Sequence, residues 1–277
     1  MKFSKSILPI CALLALGTSA FAQGGVFITG HDPDFHAYQG SNFIGARDII
    51  NRSLDFVTNN HVTNVLLVTD LSQPVGGYSD PRSGLTAAGV TYDVADYGSN
   101  TVGVKNLTTV KFSNYSAVVV ASDFGGWLRQ SELNVLNARS SDLLSYINGG
   151  GGLVAFAESA GGAGLTTGGD FGFLPFVTAS NVLNQSESGF TVSPFGTSIG
   201  LTNSDVNGNA SHNDFTALGG LNPVDYDAQG NIISAAYYGK IGNAGTLPTP
   251  EPGSFAVLAL GAAALAGLVI QRKRQTA

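Results

Sequence analysis

Three groups of residues have types and spacings that could do chemistry. The first is Ala157-Glu158-Ser159-Ala160-Gly161. It ends an apolar run, Leu153–Ala157, and has the form of a strand–nucleophile–helix turn with Ala in place of the first Gly. A sharp turn there would expose the Ser159 hydroxyl, and the Ala160 N–H would form part of an oxyanion hole. A serine nucleophile also needs a base. His212, in Ser211-His212-Asn213-Asp214, is the only histidine downstream, and Asp214 or Asp170 could orient it. The set Ser159, His212 and Asp214 would hydrolyse peptide or amide bonds. The competing reading is that Ser159 and Ala160 are small residues at a tight turn, a pattern that chance supplies often in a chain rich in Gly, Ser and Ala.

The second group is His31-Asp32-Pro33-Asp34-Phe35-His36, directly after an apolar run. His31, Asp32, Asp34 and His36 offer two imidazoles and two carboxylates, a donor set able to hold a divalent metal or face a ligand such as a carbohydrate. The spacing matches no metal signature. Asp32-Pro33 also favours a plain turn whose side chains bond neighbouring backbone. The third group, Asn203-Ser204-Asp205-Val206-Asn207-Gly208-Asn209, alternates oxygen ligands, but Gly208 is misplaced for a calcium loop and no bidentate Glu follows. It reads as an Asn/Asp/Gly turn. His61 reads as a surface residue at the entry to a strand. Trp127, the lone tryptophan, follows Gly125-Gly126 and could stack on a sugar or pack beside a helix start. No signature for an organic cofactor is present.

The elements that must position these groups are short apolar strands alternating with longer amphipathic segments. Strands are expected at Val26–Thr29, Val65–Thr69, Thr91–Val94, Ala117–Ala121 and Leu153–Ala157. Helical spacing runs over Phe43–Val57, with Ile44, Ile49, Ile50, Leu54, Phe56 and Val57 on one side. It runs again over Leu128–Ile147, which Ser131-Glu132 could open and Gly149–Gly152 ends. Strands apolar throughout imply a parallel sheet covered on both faces, hence a three-layer α/β/α sandwich whose site lies beyond the C-terminal strand ends. Those ends carry Gly30-His31-Asp32, Asp70, Ser122-Asp123 and Glu158-Ser159. Gly161–Gly169 is a Gly-rich loop and Phe171–Val177 reads as a short helix. Residues 180–240 read as loops, short strands and one helix, with Ile232–Tyr238 the best strand.

This succession resembles the class I glutamine amidotransferase-like group over about residues 24–240. The likeness rests on the run near Gly24–Gly30, a long helix, Tyr115–Asp123, a second helix ending in Gly149-Gly150-Gly151-Gly152, then Leu153–Ala157 and a tight turn. In that group the turn bears the catalytic nucleophile. No cysteine stands there, so thiol chemistry on glutamine is excluded. The turn is also similar to the serine-bearing turn of the cyanophycinase and dipeptidase-E branch, in which Ser159 would match the nucleophile.

The two ends of the chain read as addresses. Lys2 and Lys5, the apolar run Ile7–Leu16 and Ala20-Phe21-Ala22 make a secretory leader over residues 1–22, with a mature start near Gln23. Its removal takes Cys11, the only cysteine, and leaves no disulfide or thiolate. At the other end stand Pro250-Glu251-Pro252, an uncharged run from Phe255 to Ile270 and Arg272-Lys273-Arg274. As a helix the run would span about 24 Å, slightly less than a bilayer core, with the basic residues at the headgroups. The order and the literal Pro-Glu-Pro resemble the PEP-CTERM sorting signal of Gram-negative bacteria. The resemblance implies a linker at 242–252, a sorting signal at 253–274 with a transmembrane helix at 254–270, and processing by an exosortase-type membrane peptidase. Its implied partners are that peptidase, signal peptidase, the secretion translocon and the inner membrane during sorting. The implied destination is the cell surface or an extracellular polysaccharide matrix.

Composition agrees with export. Five of the 13 basic residues and one of the 19 acidic ones lie in the terminal segments, which leaves 8 and 18, a formal charge of −10 for the body. A nucleic-acid partner is excluded on that balance, since phosphates need a basic face. Residues 23–241 are enough for one domain. The expectation is an exported, non-catalytic envelope or matrix protein, with a secreted serine hydrolase and a carbohydrate- or metal-binding module as alternatives.

Overall fold

A computed structural model describes residues 23–72, 76–77, 80–123, 125–158, 171–174, 179–186 and 188–241. The leader, residues 159–170 with Ser159 and Asp170, and the tail with its expected transmembrane helix all lie outside the described residues. Among the described residues no helix is long and apolar enough to cross a membrane.

The chain begins with β1 (Gly25–Thr29), α1 (Pro33–His36), α2 (Phe43–Val57), β2 (Val65–Val68), α3 (Pro81–Ala87), β3 (Tyr92–Asp96) and β4 (Val104–Asn106). After a 3-10 turn at Phe112–Asn114 come β5 (Ala117–Val120), α4 (Gln130–Ala138), α5 (Ser140–Asn148) and β6 (Gly152–Ala155). The last third holds β7 (Ala179–Ser186), β8 (Thr191–Val192), α6 (Pro194–Ile199), α7 (Asn203–Val206), β9 (Ser211–Ala217), β10 (Asn222–Tyr226) and β11 (Ile232–Tyr238).

The architecture is mixed α/β with a largely parallel central sheet. Strand order is β4-β3-β2-β5-β6-β1-β11-β10-β8, with β9 pairing β11 and β7. From β4 to β1 every pairing is parallel; β11, β10, β8, β9 and β7 add antiparallel pairings. Of the parallel strands, β1, β2, β5 and β6 are buried along their whole length because both faces are covered, whereas β3 and β4 toward the edge carry polar residues. Val26, Ile28, Leu66, Val68, Val118, Val120 and Leu153 point into one buried cluster with Leu133, Leu136, Leu143 and Ile147 of α4 and α5. Phe27, Val65, Leu67, Val119, Val154 and Phe156 point into another with Ile49, Ile50, Leu54 and Val57 of α2 and Leu85 of α3. Alternation along each strand sends successive side chains to opposite clusters.

Helix α2 has the expected bounds. Asn42 opens it by accepting the Gly45 N–H at 3.0 Å, a cap worth about 1 kcal/mol. Ile44 departs from the expected apolar side and is 73% exposed. The segment expected as one helix over Leu128–Ile147 is two, α4 and α5, divided at Arg139. The Arg139 guanidinium donates to the carbonyls of Leu107 and Val110 and lies over the Phe112 ring at 4.1 Å. Those contacts tie the chain down at the break. Within the expected helix Phe171–Val177, the described residues 171–174 form a turn, and 175–177 lie outside the described residues.

Candidate functional site

Strand β1 delivers its C-terminal end to the centre of a buried polar cluster. Gly30 makes this possible. Its N–H donates to Ile233 O at 2.7 Å, its carbonyl accepts the His212 N–H at 2.7 Å, and a Cβ there would sit 1.9 Å from Asn213 O. Only glycine allows β9 to cross so closely. His31 then bridges Ser211, its carbonyl accepts the Ala157 N–H, and Ala157 O accepts the Asp123 N–H. The ends of β1, β6 and β5 are thereby pinned together with β9, which places His212 at the same edge.

His31 turns inward. Its Nε2 lies 2.8 Å from Asp225 Oδ2, its Nδ1 3.2 Å from both Asn209 O and Ala210 O, and its ring meets Phe190 edge-on. Both ring nitrogens face acceptors, and the ring ties β1 to β10 and the 209–210 turn.

Asp32 occupies the position before α1 but does not cap it. Its carboxylate lies between two imidazoles, with His36 Nε2 3.3 Å from Oδ1 and His212 Nε2 3.3 Å from Oδ2. At these lengths the contacts are long for hydrogen bonds, and each becomes an ion pair when its imidazole is protonated. Burial pushes the Asp32 carboxyl upward, yet His212 and His36 together outweigh it and hold the group below 3.8. His36 Nε2 also lies 3.2 Å from the Ala210 nitrogen, whose N–H it accepts in the neutral form; the protonated ring instead faces Asp32. Asp34, two residues on, has the opposite character. Burial raises it to about 7, against the Ser122 N–H at 2.8 Å and the Ser122 hydroxyl at 2.7 Å, and the Asp32 charge raises it further. Two neighbouring carboxyls, one held ionised and one held near neutrality, thus share one edge of the sheet. Gly125 and Gly126 allow that packing, since a Cβ on Gly126 would lie 2.1 Å from Asp34 Oδ2 and one on Gly125 would lie 2.2 Å from Phe35 Cβ.

Glu158 closes the cluster after β6. Its side chain is buried and accepts the Phe171 N–H at 3.1 Å, and its main-chain carbonyl accepts from the Asn213 amide. Phe171 is itself buried at φ +54°, a conformation rare for a bulky residue, which marks a strained docking of that turn on Glu158.

The residues singled out from sequence are distributed as follows. Asp32, His36 and His212 are brought together, whereas His31 and Asp34 take separate partners, so the four residues of the His31–His36 loop do not converge on one point. The acid against His212 is Asp32. Asp214 is buried two residues further along β9. Ser159 directly follows Glu158, outside the described residues. The 203–209 segment is structural: Thr202 and Asp205 form a capping box on α7, and the Asn207 side chain bonds the main chain of Phe190 and Asn203.

One cluster escaped the sequence reading. Asp70, Asp96 and Glu132, from the ends of β2 and β3 and the start of α4, bring carboxylate oxygens within 4.8 Å of one another. Burial raises Glu132 to about 7, and burial with the Asp70 charge raises Asp96. Glu132 accepts from the Tyr97 N–H and the Ser131 hydroxyl, and Arg129 Nε lies 3.5 Å from Asp70. The trio is of a type that shares a proton, and its donor set also suits a divalent cation. Its only sequence signal is an acid just past each of two strands. Trp127 sits beside it at φ +60°, donates to Ser72 Oγ at 2.9 Å and carries Arg129 over its ring at 5.1 Å. Comparison with known proteins finds no matching family model, no matching curated protein and no matching solved structure.

Proposed function

We propose that this chain is an exported protein of the cell envelope or extracellular matrix, sent outward by residues 1–22 and sorted through a PEP-CTERM tail by an exosortase-type peptidase. Its body is a three-layer, amidotransferase-like α/β domain that acts there without catalysis. One observation carries the non-catalytic reading. At the edge where an enzyme of this architecture would work, the reactive side chains are buried and turned on one another: His31 on Asp225, Asp34 on Ser122, and Asp32 on His36 and His212. Such a network fixes the strand ends and builds a unique core.

A second reading, a secreted serine hydrolase, is favoured by one feature. His212 is paired with a fully buried, ionised carboxylate, as a general base requires, and the neighbouring Asn213 binds the carbonyl of Glu158, the residue before Ser159. In this reading Asp32 orients His212. A fluorophosphonate probe applied to the exported protein separates the two. No labelling of wild type supports the structural role. Labelling that is lost in Ser159→Ala and in His212→Ala overturns it and establishes the hydrolase.

A further inference from the structure

We propose that the cavity between the end of β3 and helix α4 binds an uncharged saccharide, with Tyr97 as its stacking platform. The cavity holds about 540 Å³, within the range of small-molecule sites. Tyr97, Thr108, Ser131, Asn134, Val135 and Arg139 line it. It shares no residue with the His–Asp cluster, and the proposal does not depend on how the chain is exported.

The walls are fixed from behind. Glu132 is fully buried, and its carboxylate accepts the Tyr97 N–H at 3.2 Å and the Ser131 hydroxyl at 2.9 Å. One carboxylate therefore holds two of the lining residues in place. Arg139 is held as firmly, by the carbonyls of Leu107 and Val110 and by Asp142 at 2.9 Å. A ligand entering here meets groups that are already positioned, which lowers the entropy cost of binding.

The ligand class follows from what these groups still offer. The Ser131 hydroxyl donates to Glu132 and the Thr108 hydroxyl donates to Asn106 Oδ1 at 2.7 Å, so each oxygen is left as an acceptor. The Asn134 carbonyl accepts from Gln130 Nε2 at 2.9 Å, which leaves the Asn134 amide as a donor. The one cation in the lining, Arg139, is matched by Asp142, so an anion finds no open counter-charge. Tyr97 is 53% exposed and offers a phenol ring to the cavity. Trp127, the other aromatic able to stack on a sugar, is tied to Ser72 and covered by Arg129. Acceptors, an amide donor, apolar Val135 and an open ring match a molecule whose hydroxyls both donate and accept and whose ring C–H face is apolar. That molecule is a neutral sugar.

The test uses the chain without its leader, kept in a zwitterionic detergent that carries no sugar. Isothermal titration calorimetry is run with cellohexaose, laminarihexaose, maltohexaose, mannohexaose and chitohexaose, and with hexagalacturonate as an anionic control. The expected result is a Kd of about 1 mM or tighter for at least one neutral hexaose, with the control weaker. Tyr97→Ala should then weaken that binding about tenfold by removing the platform. Asn134→Ala removes the donor and decides the matter in the same way if Tyr97→Ala folds poorly; both side chains are exposed. Heat from none of the neutral sugars, or binding that is unchanged in the variant, overturns the site. Tighter binding of hexagalacturonate overturns the ligand class.

Discussion

Replacing Asp34 by Asn should flatten the pH dependence of stability. Asp34 is fully buried, and its carboxyl rises from 3.8 to about 7 on folding. The folded state therefore holds this proton more tightly than the unfolded chain. Its contribution is complete below pH 3.8 and is lost as pH rises through about 7. The gap corresponds to about 4 kcal/mol, of which about 2.5 kcal/mol falls between pH 5 and pH 8. Asparagine keeps the shape and both contacts. Its carbonyl can accept the Ser122 N–H and its amide can donate to Ser122 Oγ, while the ionisable proton is gone. Urea titrations of residues 23–241 at pH 5, 6, 7 and 8, followed by Trp127 fluorescence, give the comparison. Wild type should lose about 2.5 kcal/mol more than Asp34→Asn across that range. Parallel curves, or a variant less stable than wild type at pH 8, would refute the claim that burial governs this carboxyl.

Three further outcomes follow from the same geometry. Asp32→Ala leaves two buried imidazoles without their anion and should cost about 3–5 kcal/mol at pH 7 in the same titrations. Because Asp32 is held below its ordinary value, the difference from wild type should shrink as pH falls through that range. Glu132→Gln should remove the part of the pH dependence that Asp34→Asn leaves, since burial raises Glu132 from 4.5 to about 7; an unchanged residual slope would show that the Asp70–Asp96–Glu132 trio does not share a proton. Gly30→Ala drives a methyl group onto the Asn213 carbonyl and should abolish soluble expression of the domain, whereas Gly76→Ala, whose Cβ would meet nothing within 4 Å, should fold with only a modest loss from its φ of +74°.

The central strands and α2 were legible because doubly covered parallel strands must be apolar throughout and a one-sided helix must repeat at 3.6 residues. Ile232–Tyr238 was legible because its run is apolar and largely buried, although its pairings with β1, β9 and β10 are antiparallel. The division of the second long helix was not, because the apolar period continues across Arg139 and only the guanidinium's grip on Leu107 and Val110 reveals the break. Helix α3 was missed because Leu85 is its one large buried apolar residue. Strand β9 was hidden because its buried residues include Ser211, His212, Asn213 and Asp214, which mimic a polar loop. At the site, sequence reasoning placed His31–His36 at the edge of the sheet, which is where it lies, but sought partners nearby in the chain. The partners that matter are Asp225 for His31 and Asp32 for His212, each about 180 residues or more away, and no local pattern records such pairings.

The most direct measurement of the central claim is the intact mass and terminal sequence of the protein recovered from each cell fraction, with and without the sorting peptidase. The account predicts a chain outside the cytoplasm that starts at Gln23 and has lost the segment beyond Pro250-Glu251-Pro252, and whose tail is retained in the membrane fraction when the peptidase is absent. A full-length chain in the cytosol, with Met1 and Arg274 both present, would contradict it.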